Sequence, residues 1–300
     1  MVTARLDKIV KQLSLDTLRT EIDAIDDEIH NLLMTRTELV TKIGKLKQRA
    51  GNHTFSLRPA REAAIMRRLA AQHKGPFPLS ALIKIWRELL SGTVRVQTPF
   101  SVAVCDGDDP VSYRGLVRDQ FSGALVKSFS RPEEATAEVD SGTSAVAVVP
   151  LPARNSAEFW WTELAFGKHQ SLKIIGLLPF LQTTASELDP VEAFSIAAVH
   201  PEPSGKDVSL AVLEYNREAF DCNLIDAQPS CRLLSQLNQN NGEIGKTKKA
   251  MILVSIEGFL DQPGDVLSLL PPSLETIVTR VAIIGCYPKQ LSPSDIPETS

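Results

Sequence analysis

Two cations stand where the pattern of the chain asks for apolar side chains. Apolar residues recur at Leu18, Ile22, Ile25, Ile29, Leu32, Leu39, Ile43 and Leu46 in steps of three and four, and Arg36 fills the gap in that series. Lys47 follows eleven residues later, about three helical turns along the same face. Burying an unpaired charge costs on the order of several kcal/mol, so each cation needs an anionic partner, and the seam neighbours Leu32 and Ile43 supply none. Arg19 lies near the same stripe but about 25 Å from Arg36 along the axis, so it reaches a shared ligand only from an antiparallel second copy.

Further along, Thr93 and Gln97 lie four residues apart on the apolar stripe of Leu82, Trp86 and Leu90, presenting a hydroxyl and an amide to an interior. Arg61 and Glu62 add a cation and an acid at the start of a preceding helix. Together these residues outline a polar pocket rich in positive charge, suited to an organic dianion. Each also has a plainer reading: a lone seam cation sets register or snorkels, and Arg61 and Glu62 could be solvated surface.

The elements that must hold them are legible. Leu15 to Arg49 is free of Pro and broken by Gly44 alone, which predicts one helix of about 35 residues and roughly 50 Å. A helix so long needs a partner, often from a second copy of the chain. AGNHTFS reads as a loop, Pro59 suits the first turn of a second helix running to about His73, and Gly75 and Pro76 end it. A third helix should run from Leu79 to Gln97 with Leu82, Trp86, Leu89, Thr93 and Val96 along one stripe, before Pro99. Beyond Pro99 come short β-branched runs, SVAVC, SAVAVVP, LKIIGLL, FSIAAV, VSLAVLEY, AMILVSIEGF and VAIIGCYP. Helices are expected near 131–139, 156–167 and 229–237. The expected fold class is therefore an all-α domain over 1–98 followed by a mixed α/β region over 99–300, which a division near 216 would split again. The stretch 238–249 and the tail after Gln290 read as loop.

Composition narrows the function classes. With 43% apolar and 23% charged residues the chain can bury a core, and neither a signal peptide nor an apolar run of membrane-spanning length is present, so a cytoplasmic protein is expected. Cys105, Cys222, Cys231 and Cys286 are too dispersed for a zinc site or a disulfide framework and read as small buried hydrophobes. The net charge of −4 hides an asymmetry, because residues 1–98 carry 17 Lys/Arg against 10 Asp/Glu while the remainder carries 15 against 26. A basic helical domain could bind nucleic acid or a small polyanion, and only the second explains cations placed in a seam.

LRTEIDAIDDEIHNLLMTRTELVTKIGKLK, then RPAREAAIMRRL, then IWRELLSGTVRVQ resembles the all-helical chorismate mutases across residues 15–97. That resemblance implies an intertwined homodimer with composite pockets that rearranges chorismate to prephenate in aromatic amino acid biosynthesis, without metal or cofactor. It implies that Arg36 and Lys47 hold the substrate with Arg19 of the other copy, and that Lys47 and Gln97 bond the ether oxygen. It assigns the ring hydroxyl to Glu62, with Arg61 and Thr93 completing the shell. One departure is Arg58, where relatives often carry an acid.

The remaining two hundred residues more faintly resemble the dehydratase and amino-acid-binding parts of bifunctional chorismate mutase/prephenate dehydratases. AVAVVPLPARNSAEFW is similar to a dehydratase segment and AIIGCYPKQL to the closing strand of the regulatory domain. The Thr-Arg-Phe motif is missing around DVSLAVLE, DAQP (Asp226 to Pro229) replaces Glu-Ser-Arg-Pro, and too few residues lie between Pro99 and Asn216 for a two-lobed dehydratase. The expectation is a degenerate, non-catalytic relative that binds an aromatic amino acid or supports the dimer. The alternatives are a bifunctional mutase and dehydratase, or a helical dimerisation or nucleic-acid-binding module.

Overall fold

The computed structural model describes residues 14–49, 57–97, 100–154, 158–182, 191–216, 223–238 and 249–292. The AGNHTFS loop, most of the 238–249 stretch, most of the tail and Cys222 lie outside the described residues. The chain divides into two compact units, Met1–His53 and Thr54–Ser300.

The first unit is helix α1 (Leu15–Arg49), with the bounds the periodicity predicts. Ser14 opens it by accepting a 3.1 Å hydrogen bond from the Thr17 N–H, and Asp16 favours the positive end of the helix dipole. Its seam residues stay exposed, Ile22 at 57%, Leu32 at 61% and Leu39 at 55%.

The second unit contains α2 (Pro59–Gln72) and α3 (Leu79–Gln97), followed by an α/β region. The buried face of α3 is Leu79, Ile83, Arg87, Leu90 and Thr93. Leu82, Trp86 and Leu89 are half-buried and Val96 is 58% exposed, so the expected stripe is displaced by one residue. The shift follows from Arg87, a residue type normally assigned to the surface, which here is buried because it has a partner on α2. Ala63, Met66 and Ala70 of α2 and Ile83 and Leu90 of α3 share a core with Phe180 and Leu291 of the α/β region. Consequently α2 and α3 are compact with the sheet inside the unit Thr54–Ser300.

The α/β region runs β1 (Ser101–Cys105), α4 (Pro110–Gln120), β2 (Leu125–Phe129), α5 (Pro132–Asp140), β3 (Val146–Pro150), α6 (Trp161–Ala165), β4 (Lys173–Leu178), β5 (Ala193–Ala197), β6 (Asp207–Asn216), α7 (Asn223–Asp226), β7 (Cys231–Asn238), β8 (Lys249–Glu257), α8 (Pro263–Ser268), α9 (Pro272–Glu275) and β9 (Val278–Pro288). The nine strands of the described residues join one sheet, β2-β1-β3-β5-β4-β9-β6-β8-β7. β1, β2 and β3 are parallel, and the nearly continuous burial of β1 and β3 is what helices on both faces of a parallel sheet produce. From β6 onward the order is β-α-β-β-α-α-β, a β-α-β-β-α-β arrangement with its second helical segment in two short pieces.

One local expectation fails, and two elements carry too weak a signal to be read. The apolar cluster near 229–237 forms strand β7, because Cys231, Leu233 and the small Ser235 alternate inward against β8. α4 went unread, since only Val117 of its residues is buried, although Asp109 caps it through the Ser112 N–H and Pro110 occupies its first turn. β2 went unread because it is an edge strand with Leu125 67% exposed.

Candidate active site

α2 and α3 bring one anion and one cation together out of water. Pro59 starts α2, which fixes the inward direction of Glu62 one turn later. Glu62 Oε2 accepts a 3.0 Å hydrogen bond from Arg87 Nη1, with 18% and 9% of the two side chains exposed. Burial pushes the Glu62 carboxyl up from its usual range, opposed by the charge and hydrogen bond of Arg87. Burial likewise pulls the Arg87 guanidinium down from its ordinary value, opposed by the charge and hydrogen bond of Glu62. The Arg87 guanidinium also lies 4.9 Å from the centre of the Phe180 ring, a cation–π contact with the α/β region. The pair borders a cavity of about 30 Å³, room for roughly one or two waters, walled on the sheet side by Gln120, Phe121, Ile175, Phe180, Ser195 and Pro288.

The other candidate residues fall as follows. Arg61, next to Glu62 in sequence, points outward and is exposed. Thr93 is buried, and its hydroxyl donates to the Leu90 carbonyl at 2.8 Å, a bond within its own helix. Gln97 is the last residue of α3 and is half-buried. Among the described residues, no hydrogen bond joins Glu62 to Thr93 or Gln97. On α1, Arg36 is half-buried, and Arg19 is exposed and paired with Asp16 at 3.3 Å, one turn away. Lys47 lies in α1, and its side chain is outside the described residues. Arg58 is exposed and grips Glu202 at 2.7 and 2.9 Å, which ties the start of α2 to the α/β region.

Arg87 is the residue the sequence reading missed. The signal was available: Arg87 continues the Ile83 and Leu90 spacing and so must face inward with them, as Arg36 does in its own seam.

A second concavity lies within the α/β region. Arg154, in the loop after β3, meets Asp226, at the end of α7, at 2.6 Å. The Leu233 N–H and then Arg154 hold the Asp226 carboxyl below the usual carboxylate range. Beside this pair is a cleft of about 440 Å³, lined by charged Arg154, Glu192, Asp226 and Arg232 together with Leu151 and Leu233. Parts of two segments singled out in the sequence, Leu151 to Arg154 and Asp226 of DAQP, thus meet at one place. Among the described residues, no group of three or more His, Cys, Asp or Glu side chains is placed to hold a metal ion, and no helix is long and apolar enough to cross a membrane.

Comparison with known proteins identifies a family for the helical part. Residues 18–98 match the family model of chorismate mutase type II. The chain is 30% identical over 141 residues to a bifunctional chorismate mutase/prephenate dehydratase of Aquifex aeolicus, covering 46% of this chain and 38% of that protein. It is 27% identical over 140 residues to the enzyme of the same description from Neisseria gonorrhoeae, covering 47% and 37%. The matched part spans about two fifths of the length of these curated relatives. Among solved structures, a prephenate dehydratase from Streptococcus mutans aligns over 64% of this chain and 99% of its own at 13% identity and a TM-score of 0.40. A structure described as a quorum-quenching acylase, GqqA, aligns over 63% and 95% at 17% identity and a TM-score of 0.43.

Proposed function

We propose that this chain, whose residues 18–98 form a type II chorismate mutase domain followed by a mixed α/β region, converts chorismate to prephenate. The family match over those residues carries the reading, because it covers the segments that hold Arg36, Lys47, Glu62 and Gln97. The rearrangement is one concerted step in which a carbon–oxygen bond breaks as a carbon–carbon bond forms, so atoms and protons balance within the substrate. The residues then have two tasks, gripping the reactive conformer and meeting the charge that grows on the ether oxygen.

Arg36 and the partner's Arg19 hold the two carboxylates, for which the planar guanidinium fork is suited. Lys47 and Gln97 donate to the ether oxygen in a site closed to water. Glu62 accepts the ring hydroxyl, and Arg61 and Thr93 complete the surroundings. The unit we assign to this activity is residues 1–98 of each of two copies, with the exposed seam of α1 as the surface they share. In support, Ile22, Ile25, Leu32 and Leu39 are all more than half exposed. Such an enzyme works in the cytoplasm, and its effector class is an aromatic amino acid. The mixed-charge cleft beside Arg154 and Asp226, within the volume range of small-molecule sites, is the place we assign to that effector.

Incubation of the purified chain with chorismate, with products identified, tests the reading. Prephenate is expected as the end product. Appearance of phenylpyruvate would establish the second reading, which the bifunctional relatives favour, and unchanged chorismate would refute the proposal.

A further inference from the structure

Glu62 and Arg87 form a buried pair whose cation rests on the α/β region. Glu62 Oε2 is taken by Arg87, whereas Oε1 has no hydrogen-bond partner among the described residues and remains available to a hydroxyl. Arg87 in turn lies against Phe180, which follows β4. The surrounding walls, Gln120, Phe121, Ile175, Ser195 and Pro288, carry no ionisable group, so Arg87 is the one charge facing Glu62 among the described residues.

We propose that Arg87 is the positioning residue for Glu62, and that Phe180 makes the α/β region part of the mutase site by holding Arg87. The inference rests on the reading of Glu62 as acceptor of the substrate hydroxyl. An ion pair in a dry setting fixes one rotamer of the carboxylate, and a fixed acceptor makes a better hydrogen bond than one that must be ordered on binding. The α/β region then does more than accompany the helices, because without Phe180 the guanidinium loses the face against which it is set.

The charge and hydrogen bond of Arg87 also oppose the upward push of burial on the Glu62 carboxyl. Replacing Arg87 with Met leaves a buried carboxyl with no counter-charge, which takes up a proton more readily and then accepts from the hydroxyl more weakly. Steady-state kinetics on the full chain, across pH 6 to 9 and with the folded fraction measured by circular dichroism, reads this directly.

We expect Arg87→Met to raise KM for chorismate by about tenfold to a hundredfold, the size of a lost hydrogen bond to a charged group. Its kcat/KM should recover as pH rises, because Glu62 regains its charge. Arg87→Lys should restore a flat pH profile, and Phe180→Leu should raise KM by less than Arg87→Met does. A merely structural role lowers the amount of folded enzyme and leaves KM and the pH profile of the folded fraction unchanged. That result in both Arg87→Met and Phe180→Leu overturns the inference while the mutase reading stands. If Arg87→Met does not fold, Phe180→Leu and Arg87→Lys decide through the same two readouts. A wild-type chain that leaves chorismate untouched refutes the mutase reading itself, and this inference with it.

Discussion

Gly285 and Ile174 approach so closely where β9 meets β4 that a methyl group on Gly285 would collide with the Ile174 carbonyl oxygen and backbone nitrogen. Here the antiparallel β6-β9 motif joins the rest of the sheet through a single parallel register pair. We expect Gly285→Ala to separate these strands and lower the unfolding free energy by about 1–3 kcal/mol, the range for overpacking a core. Urea unfolding measures it, and a midpoint equal to wild type would mean the junction can yield.

Arg67 fastens α2 to the same unit. Its guanidinium donates to the carbonyls of Lys206 and Lys289 at 2.8 Å each and to the Ser204 hydroxyl at 3.0 Å. Arg67→Ala strands those acceptors and should destabilise the protein by about 2–4 kcal/mol, as expected for more than one hydrogen bond to a charged donor. A fragment ending at residue 98 loses these partners along with Phe180 and Leu291. It should therefore melt well below the full chain, which thermal circular dichroism will show.

Acid sensitivity follows from two carboxylates. Burial pulls the Asp106 carboxyl upward, but 2.7 Å hydrogen bonds from the Ser128 hydroxyl and Arg114 Nε, with the Arg114 charge, outweigh it and hold Asp106 below its ordinary value. Asp226 is held down likewise by Leu233 and Arg154. For such groups the stabilisation is present above the unfolded value, near 4, and is lost as pH falls through the lower folded value. Asp106→Asn should be less stable than wild type at pH 7, and the gap should narrow below pH 4. A gap independent of pH would remove the carboxylate from the explanation.

The three described thiols should be silent. Burial pushes Cys105 up to about 12 and Cys286 up to about 11, and it raises Cys231 as well. Since the thiolate is the reactive form, a disulfide reagent at pH 8 should titrate at most one thiol per chain until denaturant is added. Rapid labelling of two or more would contradict the burial.

Legibility in the sequence followed the physics of each element. α1 and α3 begin and end where expected because their periodicity is long and their ends are marked, by Ser14 and Asp16 in the first and by Pro99 beyond the second. Strands β1 and β3 announce themselves as unbroken β-branched runs, whereas β2 carries Lys127 and Ser128 on an edge and shows no such run. The Arg87–Glu62 pair was hidden because its members lie 25 residues apart, and nothing local says that a surface-type side chain will be met by an acid. The meeting of Arg154 with Asp226 across 72 residues is likewise a product of topology.

If cations in an apolar seam hold and turn over a dianion, Lys47→Ala is the decisive variant. Chorismate consumption by the folded variant should fall by about 100- to 1000-fold in kcat, the cost of removing a donor to charge that develops in the transition state. Near-normal turnover by that variant would contradict the account.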